Sequence, residues 1–359
     1  MSTARLHSGL IPVDGLRWRY RNYVEPHVII HRNPAVFVGR YLRNSRARLS
    51  AAPIAYVCAN PSNAGDYASQ LGVRHLSALP GVEMFCDPAG TPATLAWLRA
   101  GPRPGARWAA VFVGGGGVLQ ECFDPFWRGL VELDVPLVLY GVGANDAWPN
   151  RRATNGALLA RIAGTSVAMH VRDEYTRRLL AEHTQTPITV GICPSVNYLA
   201  DRATRLASKR THLLHAVHDV DLRFAGIDPG RLRAQLRAVA RDIGLIYDEV
   251  DHMSGVSRRL LERYSRAALV VSSRLHGAIF AYAMRKPCLA IDCDRKMGGF
   301  LDTHAPRTPR VDAGSLQAAI QTDTLAHVIE TFTPYDYQQG VAANRARMRE
   351  ISTTLALAS

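Results

Sequence analysis

Two serines, an arginine and a histidine stand close together in the segment SSRLHG, which runs from Ser272 to Gly277. The apolar run AALVVS before it predicts a buried strand and the residues after it predict a helix, so these side chains lie at a strand-to-helix junction. Ser272 and Ser273 are good helix N-caps, and a helix N-terminus attracts anions. Arg274 offers a guanidinium that suits a carboxylate or a phosphate, and His276 can transfer a proton near neutral pH. We interpret the segment as an anion-binding site with acid–base chemistry, the alternative being that His276 only packs or caps.

Glycine-rich segments follow two other predicted strands. Gly114–Gly117 come after WAAVFV, and Gly141 and Gly143 lie in YGVGAN. The first run lacks the GK[ST] ending of a phosphate-binding loop and the GxGxxG spacing of a dinucleotide site. We therefore predict that Gly115 and Gly116 form a tight strand exit that lines a substrate cleft, rather than a nucleotide phosphate site.

Three histidines in THLLHAVHDVD, His212, His215 and His218, suggest a metal site by their spacing. In a strand, however, His215 faces the opposite side from the other two, so one ion could not readily bind all three. The six cysteines form no CxxC pair and no Cys/His cluster. We therefore expect neither a metal nor a cofactor.

The composition is typical of a globular protein, since 47% of the 359 residues are hydrophobic and 20% are charged. A chain of this length suits two domains, because single cores stop growing beyond about 250–300 residues. No run approaches the roughly 20 apolar residues of a membrane span, and the N-terminus lacks the apolar core of a signal peptide. Together with cysteines in apolar surroundings, these features predict a cytoplasmic protein.

The formal net charge of +13 raises the local concentration of anionic ligands. No nucleic-acid recognition motif accompanies this charge, so we do not expect a nucleic-acid partner. Basic residues are dense in the first 50 positions. Residues 1–50 are either a solvated extension or a patch that contacts anionic lipid headgroups, which would bring the protein to the inner face of the membrane.

From residue 52 onward, short β-rich runs alternate with helical patterns, which is typical of parallel sheets joined by crossover helices. We predict an α/β fold of two Rossmann-like domains whose parallel sheets face a cleft. The predicted limits are 1–50 for the basic extension, 51–205 for the first domain, 206–325 for the second and 326–359 for C-terminal helices. Ligands gather at the carboxyl ends of parallel strands, so the motifs above should line the cleft.

The stretch VVSSRLHGAIFAYAMRKPCLAIDCDRKMGGF resembles the C-terminal signature of the polysaccharide pyruvyltransferase family, with an SxRxHG-like core and a following lysine. Earlier segments resemble the same family in the same order. NAGDYASQLGVRHL is similar to its N-x-GD loop and helix, FVGGGGVLQE and YGVGAN to its glycine-rich strand exits, VRDEYTRRLL to its arginine–aspartate strand exit, and GICPSV to its CPD-type segment. The similarity covers approximately residues 55–310, and the first 50 residues show none of it.

The resemblance implies a fold similar to the two-domain GT-B glycosyltransferases. It also implies an enzyme of exopolysaccharide biosynthesis that moves the pyruvyl group of phosphoenolpyruvate onto a sugar of a polysaccharide or its lipid-linked precursor, forming a pyruvate ketal and releasing phosphate. Asp66, Arg172, His276 and Lys296 match the polar core of the family's active site. On this basis we expect Asp66 and His276 to be the acid–base pair, with Arg172 and Lys296 holding phosphoenolpyruvate and Arg274 supporting them.

Taken singly, some of these residues have other interpretations. NAGD is an ordinary turn-and-cap sequence, so Asp66 could only cap a helix. Arg172 could pair with Asp173 or Glu174 on a surface.

For the whole protein, the main alternative is a GT-B glycosyltransferase that uses a nucleotide sugar and contacts its ribose through Asp292 or Asp294. Another is a protein that binds glycans without turnover. The acceptor sugar and the oligomeric state cannot be read from the sequence.

Overall fold

The part of the chain that the computed structural model describes forms two α/β units, each built on a parallel sheet. The described residues are 53–88, 90–145, 152–206, 210–253 and 255–357. The basic extension 1–50 and the lipid contact predicted for it lie outside them. Within this part, no helix is long and apolar enough to cross a membrane.

The first unit is built on a sheet whose strands come from the first half of the chain. Its strands are β1 (Ile54–Cys58), β2 (Gly81–Phe85), β3 (Ala110–Val113), β4 (Leu137–Val142), β5 (Ser166–Val171) and β6 (Ile188–Val190). Its helices are α1 (Ala64–Ser77), α2 (Thr91–Ala100), α3 (Asp124–Leu130), α4 (Gly156–Thr165), α5 (Glu174–Ala181) and α6 (Pro194–Ala203), and Glu121–Phe123 form a 3-10 turn. The strands are parallel in the order β2-β1-β3-β4-β5-β6.

The second unit repeats this plan. Its strands are β7 (His212–Ala216), β8 (Ile246–Val250), β9 (Ala267–Ser272), β10 (Cys288–Ile291) and β11 (Arg310–Val311). The helices are α7 (Asp219–Phe224), α8 (Pro229–Asp242), α9 (Arg258–Ser265), α10 (Leu275–Ala283), α11 (Arg295–His304), α12 (Leu316–Ala319), α13 (Thr322–Glu330) and α14 (Gln338–Thr354). The strands are parallel in the order β11-β10-β9-β7-β8.

Both sheets are covered by helices on their two faces. Every residue of β1 and of β9 is buried. In keeping with this, both strands are nearly continuous apolar runs rather than alternating apolar and polar residues. Parallel strands need such runs because neither face of the sheet meets water. The strand exits are therefore the places at which polar side chains can collect.

The last helix, α14, returns to the first unit. The Tyr140 hydroxyl donates to the Asn344 carbonyl (2.8 Å), and the Asn344 amide donates to the Ile192 carbonyl (3.0 Å) and to Asn197 Oδ1 (2.8 Å). Met348 of α14 packs in the core of the first sheet. Helix α14 thus packs on the first unit, whereas α13 packs in the core of the second, and the domain limits themselves stay predictions.

The two units meet at the carboxyl ends of their strands. Helices α1 and α6 of the first unit both contact α10 of the second. The Ala64 amide at the start of α1 donates to the His252 carbonyl (2.8 Å), and His304 Nε2 donates to the Arg172 carbonyl (2.8 Å). The structure therefore confirms the prediction of two Rossmann-like domains with parallel sheets facing a cleft.

Candidate functional site

A cavity of about 150 Å³ opens where the carboxyl ends of the two sheets meet, the position at which parallel sheets bind ligands. Both units line it. Its polar lining includes Asn60, Asn63, Asp66, Asp87, Gln120, Asn145, Arg172, His218, Asp221, Arg274, His276 and Lys296. The structure thus brings together the four residues that the family resemblance places in an active site.

Asp66 lies in the first turn of α1 and is 8% exposed. Asn63 caps this helix, because its side chain accepts a hydrogen bond from the Gly65 amide (3.1 Å). The alternative that Asp66 is itself the cap is therefore wrong, and its carboxyl group is left to face the cavity.

The glycine run after β3 packs against Asp66. Gly115 and Gly116 have φ angles of +93° and +86°, which favour glycine. A Cβ on Gly115 would lie 2.4 Å from the backbone carbonyl oxygen of Asp66, and a Cβ on Gly116 would lie 2.5 Å from Asp66 Oδ1. Gly115 and Gly116 thus pack against Asp66 and are not among the residues that line the cavity, whereas Gly117 lines it.

His276 lies in the first turn of α10, in the opposite unit. Its ring packs directly on the backbone of α1, since a Cβ on Gly65 would lie 2.0 Å from Cγ and Nδ1 of His276. His276 Nδ1 is 3.9 Å from Asp66 Oδ1, which is too long for a hydrogen bond. Its Nε2 is buried and has no hydrogen-bond partner in the described part of the chain. The two expected acid–base residues therefore meet across the domain interface.

The two serines of SSRLHG do not cap α10, so the capping prediction is wrong. The helix begins at Leu275, which puts Arg274 at the N-cap, and no side-chain hydrogen bond caps it. Ser272 Oγ accepts from the Arg274 amide (3.2 Å) and donates to the Arg274 carbonyl (2.7 Å), while Ser273 Oγ accepts from the His218 amide (2.9 Å). The serines hold the turn, and the N-terminus of α10 stays open to the cavity.

Cationic side chains from both units line the cavity. Arg172 follows β5 and is 1% exposed; its Nε donates to Asp173 Oδ2 (3.2 Å), and its Nη2 has no hydrogen-bond partner among the described residues. The guanidinium lies on Gly143, where a Cβ would come within 2.3 Å of Nη2. From the second unit, Lys296 Nζ lies 2.7 Å from Asp294 Oδ2. Arg172 is thus a buried cation rather than a surface ion pair.

Burial, together with these cations, shifts the pKa values of Asp66 and His276. Burial raises the pKa of Asp66 to about 6, although Arg172, Lys296 and Arg274 lower it. Burial also lowers the pKa of His276 well below its usual value, and the same three cations lower it further. At neutral pH the imidazole of His276 is therefore uncharged, while Asp66 is a carboxylate that gains a proton in mildly acidic solution.

The sequence analysis did not place other polar residues in the cavity, and it considered His218 only as a metal ligand. Asn60, Asp87, Asn145 and His218 each follow a strand of one of the two sheets. Polarity directly after a predicted strand was the signal that could have found them. His218 also caps α7, because its Nδ1 accepts from the Asp221 amide (3.0 Å).

The three histidines in and after β7 do not point to a common site. His212 begins the strand, His215 is buried with its Nδ1 3.1 Å from the Tyr247 hydroxyl, and His218 lines the cavity. Within the described ranges, no three His, Cys, Asp or Glu side chains could hold a metal ion together.

The two carboxylates considered for ribose contact are paired with cations. Asp294 lies beside Lys296, and Asp292 Oδ2 is 3.5 Å from Arg310 Nε. Neither is among the residues that line the cavity.

Comparison with known proteins identifies the family of the chain. A family model described as polysaccharide pyruvyl transferase matches residues 18–295, so the expectation that the first 50 residues show nothing of this family is wrong from residue 18 onward. Comparison with curated proteins gives no match.

Similar solved structures include a putative UDP-N-acetylglucosamine 2-epimerase from Listeria monocytogenes, with 10% identity over 85% of this chain and 97% of that chain and a TM-score of 0.53. The UDP-GlcNAc 2-epimerase from Methanocaldococcus jannaschii is similar, with 10% identity over 84% of this chain and 99% of that chain and a TM-score of 0.53. At such identities the likeness concerns the fold alone.

Proposed function

The chain belongs to the polysaccharide pyruvyl transferase family, and on that premise we propose that it transfers the pyruvyl group of phosphoenolpyruvate to a sugar of a polysaccharide or of its lipid-linked precursor. The observation that carries the proposal is the arrangement of Arg172, Lys296 and Arg274 around Asp66 and His276 in one cavity. The product would be a pyruvate ketal, and phosphate would leave.

Phosphoenolpyruvate suits this cavity because it carries a carboxylate and a phosphate, which need several fixed cations. Arg172 Nη2 is a buried N–H donor without a partner among the described residues. The N-terminus of α10, which no side chain caps, adds backbone N–H groups and a partial positive charge. These features support an anionic donor substrate.

The electrostatics divide the acid–base roles. A bound anion would raise the pKa of Asp66 above its value of about 6 in the free protein, so Asp66 takes up a proton when phosphoenolpyruvate binds. Protonated Asp66 is then the general acid that protonates C3 of the donor substrate. His276 is neutral and has a free Nε2, so it is the base that accepts a proton from an acceptor hydroxyl.

The bond changes balance as follows. Protonation of C3 converts the vinyl group to a methyl group and leaves an oxocarbenium-like C2, which one hydroxyl attacks. The C2–O bond to phosphate then breaks, and a second hydroxyl attacks C2 and closes the ketal. The two hydroxyls lose two protons; one replaces the proton delivered to C3, and the other leaves on phosphate.

The direct test is incubation of the full chain with phosphoenolpyruvate and p-nitrophenyl glycosides of galactose, mannose and glucose. We expect phosphate release together with a product whose mass and NMR spectrum show a pyruvate ketal. Parallel incubations with UDP-sugars test the glycosyltransferase alternative. Nucleotide release from these, without phosphate release from phosphoenolpyruvate, would overturn the proposal.

The affinity for phosphoenolpyruvate should depend on pH through Asp66. Asp66 keeps a proton in the complex that it loses above about pH 6 in the free protein. Binding should therefore weaken as pH rises from about 6 to the higher pKa of Asp66 in the complex, by at most about tenfold per pH unit, and change no further through Asp66 above that pKa. Asp66→Asn stays neutral, so at about pH 8 it should bind phosphoenolpyruvate at least as tightly as the wild type while forming no ketal. Calorimetric titrations across pH measure both proteins, and the variant corrects for titration of the ligand phosphate. Parallel curves for the two proteins would contradict the role of Asp66.

Gly65 should be essential for the position of His276. In Gly65→Ala the methyl group would occupy the place of the imidazole, so the ring must move away from the cavity. We expect ketal formation to fall by about 100-fold or more, with a loss of stability of about 1–3 kcal/mol from overpacking. Gly164→Ala is the matched control, because that helical glycine has nothing within 4 Å of its Cβ position. Equal activity of the two alanine variants would show that the ring position is not critical.

A further inference from the structure

Some buried polar atoms of the cavity lining have no hydrogen-bond partner in the described part of the chain. Among them are Arg172 Nη2, His276 Nε2 and Asn145 Oδ1. Buried polar atoms are nearly always paired, so an unpaired one in a cavity marks a place where a ligand supplies the partner. The chemistry of each atom then indicates which ligand it serves.

Arg172 Nη2 and Asn145 Oδ1 have opposite requirements. The guanidinium nitrogen only donates, so it suits the phosphate or the carboxylate of phosphoenolpyruvate. The amide oxygen only accepts, so its partner must carry an O–H or N–H group. Ionised phosphoenolpyruvate has no such group, whereas a sugar has several. Asn145 therefore serves the acceptor.

The position of Asn145 agrees with this assignment. It follows β4, is 3% exposed, and donates from Nδ2 to Gln120 Oε1 (3.4 Å). A Cβ on Gly117 would lie 3.5 Å from Asn145 Cβ and 3.9 Å from Lys296 Cδ, so Gly117 is next to both Asn145 and the lysine that we assign to phosphoenolpyruvate. The amide nitrogen is thus held by Gln120, and the side chain lines the same cavity as Asp66 and His276.

We propose that Asn145 is a positioning residue for the acceptor sugar and that its Oδ1 accepts a hydrogen bond from one of the two hydroxyls that form the ketal. This inference rests on the proposed function. An amide oxygen is too weak a base to remove the proton, so Asn145 orients one hydroxyl while His276 deprotonates the other. The site would thus select acceptors that present two hydroxyls in a fixed relation, rather than a single exposed hydroxyl.

The test is Asn145→Leu, which keeps the size of the side chain and removes its hydrogen bonds. For the p-nitrophenyl glycoside that the wild type uses best, kcat/KM should fall roughly 10–100-fold, mainly through KM, because a substrate hydroxyl is left unpaired. The Kd for phosphoenolpyruvate, measured by calorimetry, should change less than about twofold, since this ligand offers Asn145 no hydrogen. Gln120→Leu is the control; it removes the brace but keeps the Asn145 oxygen, and it should have a smaller effect on KM.

The outcomes separate this inference from the proposed function. A wild-type protein that makes no ketal with any of the glycosides would overturn the proposed function, and this inference with it. An active wild type with an unchanged glycoside KM in Asn145→Leu would overturn only the inference. Weakened phosphoenolpyruvate binding in Asn145→Leu would also overturn it, because it would assign the amide to the donor substrate.

Discussion

Replacing His276 by alanine is expected to slow ketal formation about 10²–10⁴-fold while the protein still folds and binds phosphoenolpyruvate. His276 is neutral in the free protein, and its Nε2 bonds to no described residue, so its loss removes a proton acceptor without breaking a hydrogen bond through that atom. The missing ring leaves a small cavity beside Gly65, which costs modest stability. Phosphate release and ketal yield measure the loss of rate, and thermal unfolding checks the fold.

The control for this variant is His327→Ala, because His327 is an exposed histidine of α13. It should have wild-type activity. A folded His276→Ala protein with near-normal turnover would exclude His276 as the base. Asp66→Asn should be inactive for a different reason, and its tighter binding of phosphoenolpyruvate at alkaline pH would distinguish the acid from the base.

Arg172→Met should raise the Kd for phosphoenolpyruvate about 100-fold or more. The change removes a buried cation whose Nη2 has no hydrogen-bond partner among the described residues and is therefore available to the ligand. It also removes the cation that lowers the pKa of Asp66 most, so the pKa of Asp66 should rise further. Calorimetric titration with phosphoenolpyruvate measures the first effect, and the pH dependence of activity measures the second.

One further variant separates charge from geometry at Arg172, and a second, on the protein surface, is the control. Arg172→Lys keeps the charge but lacks the planar fork, so it should recover only part of the affinity. Arg178→Met, on the outside of α5, should leave affinity unchanged, because Arg178 is 72% exposed and lies 3.8 Å from Glu174. Equal affinity of Arg172→Met and the wild type would remove Arg172 from the phosphoenolpyruvate site.

Much of the fold could be predicted because its signals are local. Continuous apolar runs such as IAYVC and AALVVS, alternating with helical patterns, indicate strands buried on both faces of parallel sheets. The same rule placed Arg172 and the SSRLHG segment at strand exits, where the structure has them. The details of capping were less predictable. Helix α10 begins at Leu275, so Arg274 rather than Ser272 or Ser273 is its N-cap.

The sequence by itself determined the two-sheet architecture, the family and the residue types available for chemistry, because periodicity and motif spacing are properties of neighbouring positions. Only the tertiary structure decided which of these residues meet. Gly65 admits the His276 ring, Gly116 admits the Asp66 carboxyl, and burial at the domain interface shifts the pKa values of Asp66 and His276 in opposite directions. Packing of that kind joins positions far apart in the chain, and no local pattern encodes the distance between them. The unpaired oxygen of Asn145 is visible for the same reason only in the folded protein, since a hydrogen-bond deficit exists only once all the neighbours are in place.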